Sequence, residues 1–363
     1  MKHLHTRLAA AGATALTVLV TGALVAPSAH AADPRPPILT KWANPGVAKD
    51  GSVYVMTHTT GWNARGAFAT ASKPNGPWKR TSTTLLTKTP AWAKPAKGKP
   101  RRGVWAPSII KGRDGRWVVF YSALVPGTKH ARCIGTGTAS RAIGPYVPDP
   151  RPIACFKGSG TRAQDVIRNE GRTSLIDATP SVVNGQTVLT YKTSHSYRGK
   201  VGQARTMWHT TIRMLALNPT TPNRIAANPV HANGRSIQLT SKRHKYIEEN
   251  PSLIYRAGTY TLFTSWGWYG THDRYWTQYR QAKNPWRSWN AIKPTRLSFP
   301  KSTNTRGWGN AQAAPGVSGW VLFWNGQEPA RQFTRGEGPK WLYVGQLGWK
   351  QGRPFVKKVL NRA

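Results

Sequence analysis

Asp177 and Glu249 are the residues of this sequence best placed to do chemistry. Acids are rare in the chain: 12 Asp and Glu stand against 53 Lys and Arg. Yet these two fall at the start of short Pro-containing strands, in Ile176-Asp177-Ala178-Thr179-Pro180 and Glu249-Asn250-Pro251. Two carboxyl groups facing each other across a cleft can cleave a glycosidic bond. One protonates the leaving oxygen, and the other activates water or attacks the sugar. The competing reading is structural, with each acid pairing to one of the many cations at a strand start. Tryptophan supplies a second signal. Trp62, Trp105, Trp266, Trp268 and Trp308 offer flat apolar faces on which sugar C–H groups stack, although packing between sheets is the commoner use of any single one.

These residues must be positioned by something that repeats. Asn44-Pro45-Gly46-Val47, Ala106-Pro107-Ser108-Ile109, Thr179-Pro180-Ser181-Val182, Asn250-Pro251-Ser252-Leu253 and Ala314-Pro315-Gly316-Val317 share one pattern, with prolines 62, 73, 71 and 64 residues apart. A glycine and an alternating apolar run follow each copy, at 51–57, 115–122, 185–191, 258–265 and 319–324. The physics of one unit is simple. Pro opens a short strand, a Gly-containing turn reverses it, and a period-two strand rich in Val, Tyr, Trp and Phe returns. Gly76-Pro77-Trp78, Gly144-Pro145-Tyr146 and Asn284-Pro285-Trp286 read as turns between two outer strands.

About 65 residues per unit is room for four strands, and five such sheets set radially make an all-β fold, a five-bladed β-propeller. The first strand of each blade then lines a central channel, and the residues before each Pro gather at one mouth. Blade one offers Trp42, Ala43 and Asn44; blade two, Trp105 and Ala106; blade three, Asp177, Ala178 and Thr179. Blade four offers Glu248, Glu249 and Asn250, and blade five Gln312, Ala313 and Ala314. On this spacing Asp177 and Glu249 hold equivalent places in two blades.

With these motifs in order, the chain resembles glycoside hydrolase family 43 over essentially its whole length after the leader. The resemblance rests on Trp105-Ala106-Pro107, Ile176-Asp177-Ala178-Thr179-Pro180 and Glu249-Asn250-Pro251. Arg132-Cys133-Ile134-Gly135, Gly144-Pro145-Tyr146, Tyr191-Lys192, Leu347-Gly348-Trp349 and Gly352-Arg353-Pro354 support it. It implies a five-bladed propeller with three acids at the channel mouth and inverting hydrolysis of arabinose- or xylose-containing glycans. Glu249 would be the general acid, and Asp177 would tune and orient it. The family's general base, an Asp directly before the first Pro, is replaced here by Asn44, and Asn310 stands where the family often has a supporting His. An amide cannot take a proton from water, and general-base loss costs about 10²–10⁴-fold in rate. Asp50 lies at the wrong end of its strand. Asp273, Glu328 and Glu337 fall in loops that return to the mouth, and Asp165 and Glu170 in the linker into blade three. Three readings compete: a hydrolase with a relocated base or substrate assistance, a glycan-binding propeller without turnover, and a basic binder of polyanions.

Composition sets the outer limits. Of 363 residues, 39% are hydrophobic and 10% aromatic, too many for a disordered chain, and no long 3.6-period face supports a helix bundle. Lys2 and Arg7, an apolar run from Leu8 to Ala26 and the Ala29-His30-Ala31 site read as a secretory leader over residues 1–31, followed by one propeller domain over 32–363. No later segment is apolar enough to span a bilayer. A secreted, extracellular protein is expected, and in that setting the only two cysteines, Cys133 and Cys155, are expected to pair. The net charge of +41 is spread over every blade apart from a cluster at 94–102, and no nucleic-acid fold motif accompanies it. Expected partners are therefore a polysaccharide or oligosaccharide and an anionic cell-wall polymer, not nucleic acid, and the chain is expected to be a monomer. No metal and no cofactor are expected, since His58, His195, His209 and His272 are scattered.

Overall fold

The five alternating runs become the second strands of five antiparallel sheets: Val53–Thr57, Trp117–Leu124, Gln186–Arg198, Thr259–Gly267 and Trp320–Gln327. The structure is a computed structural model, and it describes residues 37–60, 66–94, 103–168, 170, 173–204, 206–269, 275–300, 306–327 and 340–361. The leader expected at 1–31 lies outside the described residues, as do Trp62, His272, Asp273, Glu328 and Glu337.

The first strands are Gly46–Asp50, Trp105–Lys111, Ser174–Val183, Ile247–Arg256 and Arg306–Pro315. Each touches the first strands of the flanking blades, and that of blade five returns to blade one, so the ring closes as a five-bladed β-propeller. The expected Pro turns connect the outer strands: Gly76-Pro77 joins Phe68–Ala71 to Lys79–Arg80, and Gly144-Pro145 joins Arg132–Ala139 to Val147–Pro148. The only helical piece among the described residues is a single turn at Ala91–Ala93.

Because both faces of a blade are covered by its neighbours, apolar side chains fill the wedges between blades. One wedge joins Trp42, Val47 and Tyr54 of blade one to Val321, Phe323 and Leu342 of blade five. Trp42, expected at the mouth, is fully buried there; its Nε1 donates to the Thr57 carbonyl at 3.2 Å and its ring stacks on His58 at 4.0 Å. Burying a side chain of this size contributes about 1.5–3 kcal/mol.

Blade five is built from both ends of the chain. Its strand Lys340–Lys350 pairs on one edge with Trp320–Gln327, and Leu39–Thr40 and Arg353–Val359 share the other. Blade two carries the disulfide. Cys133, on the strand Arg132–Ala139, is bonded to Cys155 on the added strand Ala154–Phe156, with their Cα atoms 4.7 Å apart.

Candidate active site

One residue in each blade sets the mouth. Asn44, Ala106, Asp177, Asn250 and Asn310 all adopt the left-handed conformation, with φ of 53°, 43°, 60°, 51° and 53°. In blades two to five the pairing register shifts at that residue, which is a β-bulge that turns the chain over the channel. Asn and Asp tolerate this conformation better than other non-glycine residues because their short polar side chains bond locally. All five line one cavity at the channel mouth.

This ring corrects the alignment drawn from the prolines. In blade three Ile176 pairs with Lys192, and in blade four Glu249 pairs with Ser265, each just before the shift. Asp177 therefore corresponds to Asn250, and Glu249 to Ile176. Proline follows the left-handed residue directly only in blades one, two and four; in blade three Pro180 comes two residues late, and in blade five Pro315 comes four residues late. Blade five accordingly presents Asn310 to the mouth. Gln312 lines the same cavity, whereas Ala313 and Ala314 do not.

Glu249 is held by two donors from strands far away in sequence. Lys192 Nζ donates to its Oε2 at 2.6 Å, and Tyr275 OH to its Oε1 at 2.8 Å. Burial works against the Lys192 charge, but Glu249 and Asp177 more than offset it, so its ammonium titrates above the ordinary lysine range. Asp177 accepts from the backbone N–H of Asn250 at 3.2 Å. Burial pushes the Asp177 carboxyl up to about 7; Lys192 pulls it down, and the nearby Glu249 charge pushes it up again. Glu248, expected beside Glu249 at the mouth, points the other way. It is 1% exposed, and its carboxylate pairs with Arg280 and accepts from Thr264 and Gln278 inside blade four. Strand alternation explains the split, since consecutive side chains leave opposite faces.

An amide network surrounds Asn44. Asn44 donates its Nδ2 to Thr59 Oγ1 at 3.0 Å, and its backbone N–H to Asn325 Oδ1 at 3.0 Å. Asn310 donates to the same Asn325 oxygen at 3.1 Å, and its own Oδ1 accepts from Tyr275 OH and Asn250 Nδ2. The Tyr275 proton thus lies between two acceptors, and burial, then the Glu249 charge, holds that hydroxyl well above the ordinary tyrosine range. Lys192, Tyr275, Asn325 and Thr59 escaped sequence reasoning as site residues. Only Lys192 carried a signal, as part of Tyr191-Lys192, whose Tyr191 donates to Asp165 Oδ2 at 3.0 Å.

The other expected residues divide. Asp165 and Glu170 are buried away from the mouth, Asp165 against Tyr191 and Glu170 against Arg213 and Thr211, and neither lines the channel cavity. Trp105 is 44% exposed, with the Arg132 guanidinium 3.5 Å from its ring centroid. Trp266 and Trp268 are half-buried; Trp266 lies 5.1 Å from the His244 ring, and Trp268 6.0 Å from Trp208. Trp308 is half-buried and packs on Phe299 at 4.9 Å against the core beside blade five. His195 and His209 are not scattered: they pair across two strands, their rings 5.2 Å apart. No group of three or more His, Cys, Asp or Glu among the described residues is arranged to hold a metal ion.

The propeller has counterparts among known proteins. The chain is 25% identical over 264 residues to an extracellular endo-α-(1→5)-L-arabinanase of Thermotoga petrophila, which covers 68% of this chain and 50% of the relative. It thus spans about half the length of that curated relative. Among solved structures, a thermostable family-43 glycoside hydrolase superposes with a TM-score of 0.62 at 16% identity, over 89% of this chain and 95% of the other. An endo-1,4-β-xylanase of Bacteroides thetaiotaomicron gives 0.59 at 17% identity, over 90% and 97%. The endo-1,5-α-L-arabinanase of Thermotoga petrophila gives 0.58 at 19%, over 87% and 74%. At these identities the superpositions speak for the fold. The family model for glycosyl hydrolases family 43 matches residues 34–340, and the chain belongs to that family.

Proposed function

We propose that this protein is a secreted, inverting glycosidase of arabinose- or xylose-containing polysaccharides, with Glu249 as the proton donor and Asp177 as the carboxyl that tunes it. The observation that carries the reading is the convergence of Lys192 with these two buried acids, of which Asp177 lines the cavity at the mouth of a family-43 propeller. Glu249 gives its proton to the leaving oxygen, and the neighbouring Asp177 carboxyl, held up by burial and by the Glu249 charge, tunes that transfer because two adjacent carboxylates repel. Asn44 cannot deprotonate water. Its Nδ2 is committed to Thr59, and its Oδ1 has no partner among the described residues, so the carbonyl is left to orient the attacking water. Turnover on this route is slow unless an acid outside the described residues supplies the base.

Asn44 is also the observation that favours a second reading, a glycan-binding propeller without turnover. Incubation with linear arabinan and with xylan, followed by NMR of the released anomer, separates the two. Release of inverted sugar that Glu249→Gln abolishes supports the hydrolase. Calorimetric binding of the same glycans with no release would sink it in favour of the binder.

A further inference from the structure

The outer side of blade three carries a second cavity of about 540 Å³, which shares no lining residue with the channel mouth. Its walls come from the strand Asp165–Ile167 and the residues after it, the strands Thr206–Ala216 and Ile237–His244, and residues 286–288 of blade four. Four arginines line it: Arg168, Arg213, Arg235 and Arg287.

The two acids in the wall are already engaged. Asp165 accepts from Tyr191, and Glu170 accepts from Arg213 Nη1 at 3.0 Å and from Thr211 at 3.2 Å. Arg213 is in turn fixed, since its Nε donates to Ser236 Oγ at 2.9 Å. Arg168, Arg235 and Arg287 remain, all exposed and none with an acidic partner among the described residues. Like charges gathered around one concavity repel, and an anion seated between them relieves the repulsion. Guanidinium groups suit carboxylate and phosphate oxygens, which they bind in a two-pronged fashion. The volume lies in the range of about 300–1,000 Å³ typical of organic ligand sites, larger than a lone inorganic ion needs. Trp286, the one tryptophan in the lining, is buried and gives its Nε1 to Gln186, so it offers a base no open face; the other rings in the lining are the imidazoles of His209 and His231.

We propose that this cleft binds the carboxylate- or phosphate-bearing units of an acidic sugar or polyol polymer, apart from the glycan taken at the channel mouth. The inference does not rest on the hydrolytic reading.

The test uses the full chain and a triple variant, Arg168→Ser/Arg235→Ser/Arg287→Ser, whose side chains are exposed and whose fold is checked by melting. A control, Lys79→Ser/Lys88→Ser/Lys357→Ser, removes the same charge from exposed sites in other parts of the propeller. Binding is measured at about 0.15 M salt, where long-range attraction is screened, to polygalacturonate, poly(glycerol phosphate) and duplex DNA. The expected result is binding to one of the two acidic polymers, at least about tenfold weaker in the arginine variant and nearly unchanged in the lysine control. Which polymer is bound tells carboxylate from phosphate recognition. Equal loss in both variants, no binding to either acidic polymer, or DNA bound as tightly with the same loss in the arginine variant would overturn the proposal. Sugar release from neutral arabinan is followed in parallel and is expected to be unchanged in the arginine variant; its complete absence in all proteins would count against the hydrolase and leave this inference standing.

Discussion

Lys192 Nζ lies 2.6 Å from Glu249 Oε2, and neither side chain is more than 8% exposed. Removing one partner of such a pair strands a buried charge, at a cost of about 3–5 kcal/mol. Lys192→Met should therefore lower stability by about that amount at neutral pH, read by urea unfolding. Adding Glu249→Gln should recover much of the loss, since the stranded charge is gone. A single variant as stable as the parent would mean that the pair is not what holds Glu249.

The carboxyl of Asp177 gives the fold a dependence on pH with a definite sign. Its affinity is raised from 3.8 to about 7 in the fold, so the folded chain keeps this proton longer than the unfolded one. The stabilisation is fully present below pH 4 and is lost as pH rises through 7. Asp177→Asn mimics the protonated form and should flatten that part of the profile. Unfolding measured at pH 5 and pH 8 checks it: the parent should lose more stability than the variant between the two.

Thr59 prepares the site for an acid at position 44. Its hydroxyl oxygen already accepts from the Ala106 N–H and from Asn44, and its own proton is free to turn toward a carboxylate. Asn44→Asp should thus fit without rearrangement and raise sugar release by about 10²–10⁴-fold if the base is the missing group. Initial rates on linear arabinan decide this. A properly folded Asn44→Asp protein with no gain would argue that the pocket has diverged beyond one residue.

The Cys133–Cys155 bond closes a loop with a sequence separation of 22. A cross-link of that span contributes about 3 kcal/mol by restricting the unfolded chain. Cys133→Ser/Cys155→Ser should melt several degrees lower, by roughly 1–2 °C per kcal/mol for a chain of this size. The channel mouth lies in other strands, so glycan binding should persist in the double variant.

The architecture was legible because five glycine turns, each followed by a period-two apolar run, leave little choice of fold. The exact registers were not. Proline served as the ruler, but the bulge is marked by the left-handed residue, and Pro180 and Pro315 trail that residue by different amounts. That is why Glu249 appeared equivalent to Asp177 when Asn250 is. The partners of the acids were hidden for another reason. Lys192 and Tyr275 reach Glu249 from strands 57 and 26 residues away, and Asn325 reaches Asn44 across 281, distances over which spacing carries no signal. Tryptophan was ambiguous by chemistry: Trp42 and Trp105 look alike in sequence, yet one is fully buried and the other is open to solvent.

The seam in blade five has a bearing on how the protein comes into being. Leu39 pairs with Leu342, a contact between residues about 300 positions apart, of the kind that slows folding because its loop must close first. Four blades can form as the chain emerges, but the clasp needs its two ends together. Until the final strands are made the nascent ring stays open, and the left-handed residues of blades one and five have no fixed positions across the axis. Assembly of the pocket therefore waits for the strands that close blade five, and removal of Leu39–Thr40 or Arg353–Val359 should cost the site before it costs the individual sheets.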